Sequence, residues 1–245
     1  MPPSPDRGTL AGWVAALSFE PDRAADACTR LNEWLGVLED RLGDPNVHEG
    51  GELGIRREIN DIGRCVRDGG GVEAAAALAS VAEPSVHQPA MLLLSSLASD
   101  VLDFPGHPAT RATLKEANIL ATILPHLGPA AAPDSRARAL ALLMSTSCAG
   151  DPSMVDRLQK AEVPARLEEL EADSTVEHLA RRCLIGYAEA VTLRTMQTFA
   201  RTPAGAAFIS RPIACTLNFV LRLRARRAKA ILLRKDIWAA TKIQG

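Results

Sequence analysis

The sequence predicts an all-α protein built from stacked helical repeats, on three observations. Alanine and leucine, both strong helix formers, dominate the apolar residues, which make up 47% of the 245-residue chain. Aromatic residues are only 4%, and β-branched residues rarely alternate with polar ones, which argues against a core built on a sheet. Helix starts recur at Val72, Ile119 and Val163, offsets of 47 and 44 residues that lie within the period of helical solenoids.

Taken in order, residues 1–9 read as a disordered leader and Leu10 to Leu17 as a short helix. Pro21 and Asp22 open a stronger helix in which Ala27, Leu31, Trp34, Leu35 and Leu38 recur at helical spacing, and Gly43-Asp44-Pro45 ends it. Gly50, Gly51 and Gly54 mark a loop, after which Ile55, Ile59, Ile62 and Val66 form a helical stripe closed by Gly69-Gly70-Gly71. Residues 10–66 are therefore expected to cap a stack whose repeats, about three of them, fill residues 71–200.

Within that span a short helix, a break and a longer helix recur: Glu73 to Val81 then Val86 to Val101, Ile119 to Leu127 then Arg136 to Cys148, Pro164 to Leu170 then Thr175 to Thr198. Pro105 to Leu114 and Pro152 to Leu158 fit an additional short helix at the head of the next unit. Ser174 and Glu177 have the spacing of a capping box for the last helix. The longer helices align on a small residue followed four later by leucine: Ala90 and Leu94, Ala139 and Leu143, Ala180 and Leu184. The small residue allows close approach, the leucine fills a shared core, and no unit can bury its apolar face alone.

Over residues 55–200 this pattern resembles the armadillo family of catenin-like and importin-like repeat proteins. The resemblance implies a right-handed α-solenoid whose longest helices line a concave groove. In that family an asparagine often stands two residues after the matched leucine and clamps extended peptide backbone. The corresponding positions here are Ser96, Ser145 and Gly186, so the asparagine ladder of nuclear import receptors is missing. Groove contacts are expected instead from Ser95, Ser96, Ser99, Ser145, Arg181 and Arg182, polar residues around the matched leucines.

Catalytic and metal signatures do not stand out. His48, His87, His107, His126 and His178 form no paired-histidine motif and read as surface or loop residues, so no metal is expected. No nucleophile elbow, P-loop or dinucleotide fingerprint occurs. The five cysteines are scattered and mostly on apolar faces, which suits small buried hydrophobes in a reduced, cytoplasmic compartment. Asp100 and Asp103 read as solvated loop carboxylates. No apolar stretch approaches the roughly 20 residues of a membrane span, and the start MPPSPDRG has no signal-peptide pattern. Neither enzyme activity nor a cofactor is expected.

Charge is unevenly distributed. From Arg222 onward there are eight basic residues and one acidic, a net +7, while residues 1–221 carry −8. Residues 201–245 are read as a basic helical extension in which Arg222, Arg224, Arg226, Arg227, Lys229, Arg234 and Lys235 are interleaved with Phe219, Leu232 and Trp238. Basic amphipathic helices suit an acidic helical partner such as calmodulin, with membrane-surface contact as the alternative. No DNA-binding module is visible. Ile243-Gln244 resembles the opening of an IQ motif, although that motif's central arginine-glycine has no counterpart. These features predict a protein-binding scaffold or adaptor. Length and layout also resemble the small armadillo-type nucleotide-exchange cofactors of Hsp70 chaperones.

Overall fold

A computed structural model describes residues 7–44, 47, 49–100, 102–103, 105–147 and 151–202. The chain divides into two compact units, residues 1–190 and 191–245. In the first unit, α1 (Arg7–Ala16) and α2 (Pro21–Gly43) precede α3 (Glu49–Asp68), α4 (Gly71–Leu78) and α5 (Pro84–Leu97). Next come α6 (His107–Glu116), α7 (Ile119–Ile123) running on as a 3-10 turn at Leu124–Leu127, and α8 (Pro133–Ser145). A 3-10 turn (Pro152–Met154) leads into α9 (Val155–Lys160), then α10 (Val163–Leu170) and α11 (Glu177–Ala200), whose last residues belong to the second unit. Of that second unit the structure describes residues 191–202, ending in a turn where the Thr202 N–H donates to the Phe199 carbonyl at 2.9 Å. No strand occurs among the described residues.

The repeat is visible in the backbone. A left-handed residue stands just before α4, α7 and α10: Gly70 (φ 72°), Asn118 (φ 51°) and Glu162 (φ 55°). Each reverses the chain between the first and second helix of a three-helix unit. Glycine and asparagine accept this conformation readily, whereas Glu162 holds it against the clash between its Cβ and the following carbonyl. The third helices start on proline at Pro84 and Pro133, as α2 does at Pro21, where the missing N–H belongs to a first turn that has no acceptor for it.

Packing follows the same order. The main contacts set α2 against α5 and α5 against α8, so the long helices lie side by side, with α4 packed on α5. Leu93, Leu94, Leu97, Leu140, Leu142 and Leu143 are fully buried between them. On α11 the buried residues are Ala180, Cys183, Gly186 and Ala190. Cys183 donates its thiol hydrogen to the Leu140 carbonyl of α8 at 3.5 Å, the close approach that small residues permit. This is a solenoid-like α-repeat fold.

Several expectations need correction. Gly50, Gly51 and Gly54 are helical, because α3 starts at Glu49 ahead of the Ile55–Ile59–Ile62–Val66 stripe. Leu184 is only half-buried at the margin of the core, since α11 turns Ala180 and Cys183 inward. Asp173 performs the capping expected of Ser174: its carboxylate accepts the Thr175 backbone N–H at 3.0 Å and the Thr175 hydroxyl at 2.7 Å. Those bonds, first that from the Thr175 hydroxyl, and the Arg136 guanidinium hold its carboxyl below the usual range.

Asp103 is not a solvated loop carboxylate. It is 0% exposed and ion-paired with Arg67 of α3, whose guanidinium also donates to Thr110 Oγ1 of α6 at 3.3 Å. Glycines make room for this joint. A Cβ on Gly63 would lie 2.9 Å from Asp103 Cγ, and one on Gly106 would collide with the Arg67 guanidinium. A second joint links α8 to the α10–α11 turn, where buried Arg136 pairs with Asp173 and donates to the Gly128, Pro129 and Ala131 carbonyls. These two ion pairs, each with one buried partner, thus bind one helical repeat to the next within residues 1–190.

Candidate protein-binding face

Across the three neighbouring long helices runs an open cleft, mostly apolar in surface and edged by polar side chains. Thr29, Asn32 and Glu33 of α2 form one wall, Ser85, Gln88, Pro89 and Leu92 of α5 the floor, and Arg138 of α8 the far side. The α5 row follows from helical periodicity: residues at 85, 88, 89, 92 and 96 share the face opposite the buried Ala90, Leu94 and Leu97. Pro89 shapes the floor. It has no N–H to give the Ser85 carbonyl, and its own carbonyl receives the Asn32 carboxamide at 2.8 Å. Asn32 Oδ1 is left buried without a donor. Arg138 is exposed at the edge of the cleft.

Beneath the floor lies a buried polar chain. Gln88 Nε2 donates to Ser135 Oγ of α8 at 2.9 Å, and Ser135 Oγ lies 2.8 Å from His87 Nε2. The other ring nitrogen of His87 sits 3.0 Å from the Val81 carbonyl. A carbonyl only accepts, so in neutral His87 the proton resides on Nδ1, and Nε2 accepts from the Ser135 hydroxyl. His87 is 2% exposed, which corrects its reading as a surface or loop residue. Half-buried His126 packs beside it, the rings tilted by 46° with centroids 4.3 Å apart. Burial, and then the neighbouring His87, lower the pKa of His126.

The structure spreads the predicted groove residues. Ser96 is half-buried and continues the accessible row of α5 beyond Leu92, while half-buried Ser99 follows the end of the helix. Ser95 is 6% exposed and donates its hydroxyl to the Leu92 carbonyl at 2.8 Å, on the inner side of the helix. Ser145 is half-buried at the end of α8. Arg181 is exposed near the start of α11, paired with Glu171 at 3.1 Å and Glu177 at 2.6 Å, and Arg182 beside it is half-buried. Asn32, Gln88 and Arg138 were missed. Gln88 was visible as a polar residue on the face opposite the buried leucines, but Arg138 lies one turn from buried Leu142 and Asn32 lay in a segment read only as a cap. Phe219, Arg222, Arg224, Arg226, Arg227, Lys229, Leu232, Arg234, Lys235, Trp238, Ile243 and Gln244 lie outside the described residues.

Burial pushes the Cys28 thiol up to about 12. Among the described residues no group of three His, Cys, Asp or Glu side chains could hold a metal ion, and no helix is long and apolar enough to cross a membrane.

No known family model matches the chain, and no curated protein sequence matches it. Solved structures do. One crystal structure of an engineered protein is 17% identical with a TM-score of 0.50, covering 76% of this chain and 81% of its own. A second engineered protein is 16% identical with a TM-score of 0.50, covering 81% of this chain and 55% of its own. A designed armadillo repeat protein, 17% identical, aligns over 79% of this chain and 93% of its own with a TM-score of 0.47. At these identities the first two likenesses are of fold alone: this chain shares a helical architecture with engineered proteins.

Proposed function

We propose that the chain is a non-catalytic, armadillo-type scaffold that holds a segment of a partner protein along the face of α2, α5 and α8. The observation that carries this reading is the cleft itself, which crosses three packed helices and sets a cation and carboxamides around a mostly apolar surface. The ion pairs support it from the other side: buried Asp103 with Arg67, and buried Arg136 with Asp173, are engaged in holding repeats together. A stack of packed helices with an open cleft suits recognition of an extended segment. Selection of peptides from a random display library against the full chain tests this. Selected peptides should lose at least about tenfold in affinity, some 1.4 kcal/mol, on Gln88→Ala combined with Arg138→Glu. Binding unchanged by that pair of substitutions places the interface elsewhere.

The basic tail supports a second contact with an acidic helical protein, because seven cations within residues 222–235 repel one another until an acidic surface meets them. A peptide spanning residues 217–245 should bind calmodulin more tightly than a scrambled peptide of equal charge. Equal affinities would reduce the tail to general charge attraction. Accelerated nucleotide release from an Hsp70 would favour the exchange-cofactor reading instead.

A further inference from the structure

We propose that proton uptake by buried His87 reverses a hydrogen-bond chain through Ser135 and inverts the polarity that Gln88 presents to the cleft. The inference rests on the cleft being the partner-binding face and adds a regulator to it. In the neutral state the chain has one direction. Gln88 Nε2–H donates to Ser135 Oγ, the Ser135 hydroxyl donates to His87 Nε2, and His87 Nδ1–H donates to the Val81 carbonyl. With its NH2 turned to Ser135, Gln88 offers its carbonyl oxygen to the cleft it lines.

A proton from solvent that binds His87 Nε2 makes both ring nitrogens donors. Nε2–H then donates to Ser135 Oγ, and the hydroxyl hydrogen that pointed at the ring must find another acceptor. Ser135 is 3% exposed, so water does not serve, and a buried donor without a partner costs about 1 to 3 kcal/mol. Gln88 is the neighbour that can accommodate it. Rotating its carboxamide by half a turn brings Oε1 to the Ser135 hydroxyl and turns the NH2 outward. A position that showed the partner an acceptor then shows it a donor. The only new covalent bond is the Nε2–H of the imidazolium.

The surroundings limit this uptake to one proton. His126, 4.3 Å away, is the second titratable ring, and two imidazolium ions at that spacing repel. On α8, Arg136 is bound to the Gly128, Pro129 and Ala131 carbonyls and to Asp173, while Asp134 is exposed. On α10, Arg166 reaches the Leu124 carbonyl at 3.4 Å, and at the start of α5 Glu83 is exposed. Glu83 accepts the Ser85 hydroxyl at 3.4 Å. His126 is held below its ordinary value by burial and then by His87.

The test is nuclear magnetic resonance on the full chain labelled with nitrogen-15, following the imidazole nitrogens and the Gln88 side-chain amide from about pH 7.5 to 5. The expected result is loss of the acceptor-type signal of His87 Nε2, with the Gln88 NH2 resonances moving at the same midpoint. Ser135→Ala should leave the His87 titration in place and still the Gln88 response. Ser135→Thr, which keeps the hydroxyl, should retain both and serves as the control if the alanine variant folds poorly. A Gln88 amide that stays still while His87 titrates overturns the relay, as does a titration confined to His126. No partner is needed for this readout, so failure of the scaffold reading would appear in the peptide selection and not here.

Discussion

Removing the carboxylate of Asp103 should loosen the joint between the first two repeats by a measurable and partly predictable amount. In Asp103→Ala the backbone contacts of the α5–α6 turn persist, because the Asp103 carbonyl still receives the Gly106 N–H at 3.2 Å and the His107 N–H at 2.8 Å. What is lost is the counter-ion of Arg67, whose side chain is 17% exposed and retains Thr110 Oγ1 as acceptor. Breaking a fully buried pair on one side typically costs 3 to 5 kcal/mol. The residual exposure of Arg67 and its threonine bond place this site near the lower end, about 3 kcal/mol. For a unit of this size that corresponds to a fall in Tm of roughly 6 to 12 °C. Gly63→Ala reaches the same joint by another route, since its Cβ would press on the carboxylate and push it off Arg67. Urea unfolding followed by circular dichroism should therefore show strong non-additivity. Gly63→Ala should be costly alone and nearly neutral in the Asp103→Ala background, with a coupling above about 1 kcal/mol. A loss under about 1 kcal/mol for Asp103→Ala, or strict additivity of the two substitutions, would refute the reasoning.

Three further outcomes follow from the same packing. Leu94→Ala and Leu143→Ala should each cost about 2 to 5 kcal/mol in denaturant unfolding, because both side chains are fully buried, while half-buried Leu184→Ala should cost clearly less. Glu162→Gly should be neutral or slightly stabilising, by up to about 1 kcal/mol, although glycine usually destabilises elsewhere, because it relieves a left-handed backbone at φ 55°. Stability should also fall on mild acidification. The pKa of His126 is lowered in the folded chain, so the unfolded chain binds more protons as pH drops. The contribution of this residue is complete above the unfolded value near 6.5 and declines below it. His126→Phe should flatten that part of the pH profile in thermal unfolding, and an unchanged slope would contradict the assignment.

The helix order was legible because apolar periodicity and proline-led starts are local signals, and the recurring Val72, Ile119 and Val163 exposed the repeat. The glycines at 50, 51 and 54 misled because a weak local preference yields to the tertiary burial of the stripe that follows. The burial of His87 was legible in principle, since it shares its face with Ala90, Met91 and Leu94, but a histidine was weighed as a polar residue and not as a position. Asp103 gave no local cue. Its partner Arg67 lies 36 residues earlier, and such a pair emerges only when the repeats stack. The cleft was partly legible: the face of α5 was identified, but matching on leucines placed its contacts toward the end of the helix, and the contribution of α2 required knowing that α2 packs on α5.

Hydrogen exchange on the full chain, with and without a peptide selected from the library, tests the central claim most directly. The account predicts slowed exchange in α2 around Thr29–Glu33, in α5 around Ser85–Leu92 and in α8 around Arg138, with α3 and α6 unchanged. Protection confined to α3, α6 or α9, with the three long helices unaffected, would contradict it.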